Sequence, residues 1–146
     1  MRYAYPCTVD PPDETNRILV AFPDVPEAGD DGATEAEALA GAAGSLVAAL
    51  QGYVERKRDI PSPSKPKRGQ RTIALPALVA AKLELYRAVR ERRVSNVALA
   101  KLLGLSSENE ARRLLDLEHN SRIAQVEAAL AMLGKELVIE ARDKAA

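Results

Sequence analysis

The stretch AFPDVPEAGDDGATEAEAL, residues 21–39, changes character twice. It opens as the end of an apolar run, meets Pro23 and Pro26, passes through an acidic turn at Asp30, Asp31 and Gly32, and then starts a helix. Proline lacks the amide that a β-ladder needs, so the PDVP segment must leave a sheet or lie on its edge. Thr34 followed by Glu37 is a capping box, in which the hydroxyl accepts from the third helical amide and the carboxylate returns to the cap's own amide. Sheet and helix therefore meet across one short loop, and with strands grouped ahead of a run of helices the class is α+β.

Working outward, Tyr3, Tyr5, Cys7 and Val9 alternate with Arg2, Ala4, Pro6 and Thr8, the period-two pattern of a half-buried strand. ILVAF, residues 18–22, resumes that pattern as a second strand, and a short third one is expected near Glu27 and Ala28. Beyond the capping box, Ala36, Leu39, Ala40, Ala43, Leu46, Val47, Leu50 and Val54 recur at three- and four-residue steps and predict one apolar stripe. Gly41 and Gly44 each weaken such a helix by about 0.5–1 kcal/mol relative to Ala, which close packing on the sheet explains. RDIPSPSKPKRGQR, residues 58–71, is too rich in proline, serine and charge for regular structure. Residues 72–75 return as a strand, and Pro76 suits the first turn of another helix, where its missing amide would be unpaired anyway. The order βββαβ followed by helices alone divides the chain into residues 1–77 and 78–146.

Composition narrows the function classes. The 146 residues carry 21 basic and 21 acidic side chains, one Cys and one His. Cys7 has no disulfide partner, and Cys7 with His119 makes no zinc cluster, so neither metal nor cofactor is expected. No apolar run approaches the roughly 18–20 residues that span a bilayer, and the first residues alternate, so a cytoplasmic protein is expected. Up to Ile60 there are 5 Lys and Arg against 11 Asp and Glu, a net −6; from Pro61 onward there are 16 against 10, a net +6. Such separation suggests that one part faces a basic partner and the other an acidic one such as nucleic acid; the plainer alternative is two solvated surfaces. Asp10, Asp13, Asp24 and Asp30 invite comparison with a magnesium-dependent nuclease, but they lie in loops or beside prolines without rigid placement. No enzymatic activity is expected.

The second part is read from SNVALAKLLGLSSENEARRLLDLEHNSRIAQVEAALAMLGKEL, residues 95–137. Before it, Val79, Leu83, Tyr86 and Val89 mark a buried helical stripe, with Lys82, Arg87, Arg90, Arg92 and Arg93 expected on a basic exposed face. Ser95 caps a helix that packs through Leu99, Ala100, Leu102 and Leu103. Gly104 permits a positive-φ turn, Leu105 fills the corner, and Ser106 caps the next helix. That second helix buries Ala111, Leu114 and Leu115 and turns Glu108, Asn109, Arg112 and Arg113 outward. Arginine can bridge a guanine edge, asparagine an adenine edge and serine either, so Ser106, Ser107, Asn109, Arg112 and Arg113 are the candidate DNA-binding residues. Arg122 joins them: after the expected cap Ser121 it sits unfavourably at a positive helix end, and a phosphate would rationalise it. His119 is expected as a surface-turn residue. A plain αα-hairpin is the structural alternative. KELVIEA, residues 135–141, alternates after the Gly134 stop and predicts a short C-terminal strand, whose open edge suits a homodimer or higher homo-oligomer.

Two resemblances follow. Residues 95–106 resemble Xre/Cro-type helix-turn-helix domains, whose usual LAxxLG(V/L)S stands here as LAKLLGLS. Between Gly104 and Asp116 there is one residue more than in the common pattern; strict alignment would put Glu110 in the core, whereas the apolar spacing puts Ala111 there. FPDVPEAGDDGATEAEALAGAAGSLVAAL with DIPSPS resembles the HicB antitoxin module: a strand ending in Phe-Pro-Asp, an acidic glycine turn, an Ala-rich helix entered through Glu-Ala-Leu, and an Ile-Pro-x-Pro exit. This resemblance implies a truncated ribonuclease-H-like fold, neutralisation of a HicA-like toxin that cleaves messenger RNA, and binding of the operon's own promoter. Phe22, Asp24, Glu27, Asp30 and Asp31 then form the toxin-binding surface, the acids complementing a basic surface that grips RNA. The rival reading is a stand-alone helix-turn-helix regulator whose N-terminal module binds a ligand or oligomerises.

Overall fold

Alternation in the first residues does make a strand, and a central one. In a computed structural model that describes residues 2–143, β1 (Ala4–Val9) pairs antiparallel with β2 (Ile18–Ala21) on one side and β4 (Arg71–Ala74) on the other. β3 (Gly29–Gly32) adds beyond β2, so the sheet runs β3-β2-β1-β4. β3 begins later than the expected Glu27–Ala28 because PDVP folds into successive turns, Val25 N donating to Phe22 O at 3.2 Å and Ala28 N to Val25 O at 3.0 Å. Those turns bury Phe22, Val25 and Ala28.

Thr34 caps α1 (Glu35–Glu55) by accepting from Glu37 N at 3.2 Å. The return bond differs from the expected box: Glu37 Oε2 accepts from Ala33 N at 3.2 Å, one residue before the cap. The buried face of α1 also differs, being Ala38, Ala42, Leu46, Leu50 and Tyr53, while Ala36 and Ala40 are exposed. Almost every face of this Ala-rich helix is apolar, so periodicity leaves its rotation open, and the large Leu46, Leu50 and Tyr53 decide it. Gly41 does mark a close approach, since a Cβ there would run into the Asp30 carboxylate of β3; Gly44 faces open space.

After α1 the Pro-rich strap is tied to the sheet. Tyr5 Oη donates to Pro61 O at 2.7 Å, and Ser64 donates from its N and Oγ to Asp24 Oδ2 at 2.9 and 3.0 Å. These ties return the chain to β4. The mixed α+β chain thus divides into two compact units, Met1–Pro76 and Ala77–Ala146.

The second unit holds α2 (Ala77–Glu91), α3 (Asn96–Leu102), α4 (Glu108–Leu115) and α5 (Ile123–Met132) around Leu83, Leu85, Leu99, Ala111, Val126 and Leu130. Ser95 caps α3 through Ala98 N. At the end of α3, Gly104 (φ 67°) donates to Lys101 O at 3.2 Å and Leu105 to Ala100 O at 2.8 Å, the double closure of a Schellman turn. The same closure ends α2 at Arg93 (φ 53°) and α5 at Gly134 (φ 76°).

Several expectations about this unit are corrected. Ser107, not Ser106, caps α4. Leu102 stays exposed, so α3 packs through Leu99 and Ala100. Lys82 is fully buried instead of lying on the basic face. Residues 135–141 form no strand, and Val138 and Ile139 are 77% and 64% exposed, because a strand needs a ladder partner and none is supplied among the described residues.

Candidate functional site

The acidic segment of the first unit is held in place by neighbours that sequence alone does not pair. Asp24 carries the strap clasp from Ser64. Glu27 accepts from the Tyr53 hydroxyl at 2.9 and 2.8 Å, and Arg58 lies over the Tyr53 ring at 4.7 Å. Burial, with the Glu27 bond adding to it, pushes the Tyr53 hydroxyl above its ordinary value. Asp31 pairs with Arg17 Nε at 3.1 Å, and that hydrogen bond holds its carboxyl below the usual carboxylate value. Asp30 accepts from Asp31 N at 2.8 Å beside Gly41. Phe22, expected on the same surface, is 1% exposed, so it anchors the turn from within. Asp24, Glu27, Asp30 and Asp31 thus follow one another along the path from the PDVP turns into β3.

The charge separation is more local than the cut at Ile60 suggests. The basic Lys65, Lys67, Arg68 and Arg71 belong to the first unit, which carries 9 Lys and Arg against 11 Asp and Glu, a net −2; the second carries 12 against 10, a net +2. The sign of each candidate surface is set by a short segment, not by a whole unit.

On α4 the outward face is the one expected: Asn109, Arg112 and Arg113 are exposed while Ala111, Leu114 and Leu115 are buried. Ser107 Oγ accepts from Glu110 N at 3.3 Å, and the Glu110 carboxylate takes Ser106 N at 3.2 Å and Ser106 Oγ at 2.8 Å. Glu110 is thereby committed to the cap. Glu108 lies 3.7 Å from Arg112, whereas Asn109 and the Arg113 guanidinium have no partner among the described residues. Arg122 is exposed and is itself the N-cap of α5, with no side-chain cap bond. Ser121, expected in that role, is buried and accepts from Lys82 Nζ at 2.8 Å. His119 is exposed on the turn, its Nδ1 3.1 Å from Ser121 Oγ.

Lys82, Tyr53 and Ser64 are the contributors that motif reading missed. For Lys82 a signal existed, since it stands three residues after Val79 and four before Tyr86, on the buried face of α2. No group of three or more Asp, Glu, His or Cys side chains converges on a metal-sized site among the described residues, and no helix there is long and apolar enough to cross a membrane.

Residues 4–84 match the model of the HicB-like antitoxin of bacterial toxin–antitoxin systems, a span that runs from β1 into α2 and includes the whole acidic segment. The chain belongs to the HicB-like antitoxin family. Curated relatives carry the similarity into the second unit. Antitoxin HicB 2 of Photorhabdus laumondii is 42% identical over 129 residues, 88% of this chain and 90% of the relative. Antitoxin HicB of Escherichia coli K12 is 36% identical over 133 residues, 91% of this chain and 95% of its own. The Pseudomonas fluorescens antitoxin HicB is 34% identical over 128 residues, 87% of each. Within this HicB-like chain, the acidic segment lies inside the family match and α4 lies beyond it.

Proposed function

We propose that this HicB-like antitoxin neutralises a HicA-like, messenger-RNA-cleaving toxin through its first unit and represses its own operon through its second. The observation that carries the proposal is the pairing of two surfaces in one chain. One is a pre-positioned acidic segment at Asp24, Glu27, Asp30 and Asp31; the other is a capped helix whose Asn109, Arg112 and Arg113 point outward. Carboxylates already fixed by Ser64, Tyr53 and Arg17 lose little side-chain freedom on docking, so they suit a basic surface that grips RNA. Phe22 supports that segment from the core.

α3, the Gly104 turn and α4 act as a helix-turn-helix of Xre/Cro type. Ser106 and Ser107 bring the start of α4 to the duplex, Asn109, Arg112 and Arg113 meet base edges, and Arg122 neutralises phosphate. Glu110, spent on the cap, is kept from opposing the phosphates. Val138 and Ile139 leave an apolar segment for pairing with a second copy, giving the two-fold assembly that a palindromic operator demands. The first unit resembles a truncated ribonuclease-H fold used for occlusion, with no substrate turned over.

Copurification with a co-expressed HicA-like toxin tests the first role, and retardation of a duplex from the chain's own promoter tests the second. Failure of the first removes the toxin assignment; failure of the second removes the repressor assignment and leaves the first standing.

A further inference from the structure

Lysine is almost never fully buried without compensation, and a buried ammonium is costly. Lys82 is nevertheless inaccessible, in the middle of α2. Its Nζ donates to Arg113 O at 2.9 Å, Asp116 O at 2.7 Å, His119 O at 2.7 Å and Ser121 Oγ at 2.8 Å. Four acceptors surround the three protons of an ammonium, so one proton is shared, and the cage is built of backbone oxygen and one hydroxyl.

Each caged carbonyl also closes the backbone of the segment that follows α4. Asp116 N donates to Arg113 O at 3.3 Å, His119 N to Asp116 O at 3.1 Å, and Ser121 N to His119 O at 2.9 Å. Lys82 therefore touches the acceptor of every one of these closures. Arg113 O belongs to the last turn of α4, where carbonyls lack helical partners and the helix end is negative, so a cation there is doubly favoured. Packing alone does not call for lysine: methionine would fill similar volume without the desolvation cost and would leave the cage without donors.

We infer that Lys82 is a positioning residue for nucleic-acid recognition, its ammonium fixing where α4 ends and how the chain passes to Arg122. The inference rests on the repressor reading above. Arg112 and Arg113 stand on one side of the caged segment and Arg122 on the other, so their spacing is set by backbone that Lys82 holds. Loosening that segment moves Arg122 relative to α4 while the apolar core of the unit stays intact.

Full-length Lys82→Met tests it by two readings: amide exchange at Asp116, His119 and Ser121, and salt-dependent binding to a duplex carrying the chain's own promoter. Expected are exchange at those three amides faster by tenfold or more with Leu83 and Leu85 unchanged, affinity reduced about tenfold, and a salt slope shallower by about 1, as for one lost phosphate contact. Wild-type exchange at the three amides, or faster exchange with wild-type affinity and slope, overturns the inference. Lys82→Ala keeps the question open to decision should the Met variant not fold. Added n-propylammonium should restore affinity and 1-propanol should not; equal restoration by the alcohol would show that bulk suffices and overturn the role of the charge. If the wild-type chain does not bind the duplex at all, the repressor reading fails, while the exchange measurement still decides whether Lys82 holds the segment.

Discussion

Arg93 adopts φ 53° where α2 ends, the backbone region in which Gly104 and Gly134 sit at the ends of α3 and α5. A Cβ in that region costs about 1–2 kcal/mol, and glycine returns part of the gain as unfolded-state entropy. Arg93→Gly should stabilise the second unit by about 0.5–1 kcal/mol in urea unfolding, and unchanged or lower stability would contradict the left-handed closure. Gly32 is the converse. A Cβ there would lie 2.7 Å from Ala38 N and 3.1 Å from Thr34 O, backbone atoms that cannot step aside without moving the start of α1. The acidic turn needs this glycine for close approach, a requirement that its place in the GDDG sequence does not announce.

At the scale of elements, what local chemistry decides was legible and what tertiary packing decides was not. Thr34 with Glu37, Ser95, and the Gly104 turn were readable because capping and positive φ are local requirements. The rotation of α1 was not, because alanine on nearly every face carries no phase. Val138 and Ile139 alternate as a strand does, yet alternation cannot supply the neighbour that a strand needs. Residue type places Lys82 on the surface, whereas its spacing from Val79 and Tyr86 puts it inside. Among the candidate binding residues, those on α4 could be assigned by helical spacing; the Tyr53, Ser64 and Arg17 partners of the acids come from far along the chain and left no local trace.

The α4 cap provides a direct check. Ser107→Ala removes the hydroxyl that accepts from Glu110 N and should cost about 1 kcal/mol, whereas Ser106→Ala should stay within about 0.5 kcal/mol. Equal losses would return the cap to the pair. Lys82 gives the second unit a pH signature. Burial lowers its pKa from 10.5 to about 8, with Asp116 opposing, and the facing groups are the Arg113, Asp116 and His119 carbonyls and the Ser121 hydroxyl. Between about 8 and 10.5 the unfolded chain holds the proton that the folded one has lost, so stability contributed through this group rises with pH across that window. Urea unfolding of wild type against Lys82→Met should show wild type gaining on the variant from pH 8 to 10.5; a constant difference would contradict the lowered pKa.

For the whole molecule, the net charges of −2 and +2 on the two units are too small to organise recognition by long-range field alone. The proposed recognition therefore rests on short segments: Asp24 to Asp31 in one unit, Asn109 to Arg113 with Arg122 in the other. Their separation in sequence lets each be damaged without the other. Exposed Val138 and Ile139 carry the proposed self-association, so Val138→Asp with Ile139→Asp should lower the mass seen in sedimentation equilibrium and weaken promoter binding in step, while an unchanged mass would move the interface elsewhere. The most direct test is a promoter-duplex titration of wild type and Arg112→Ala with Arg113→Ala, each also assayed for copurification with a co-expressed HicA-like toxin. The double variant should bind the promoter at least tenfold more weakly, prefer it less over an unrelated duplex and keep its copurification intact; unchanged promoter affinity, or loss of the copurifying protein together with DNA binding, would contradict the assignment.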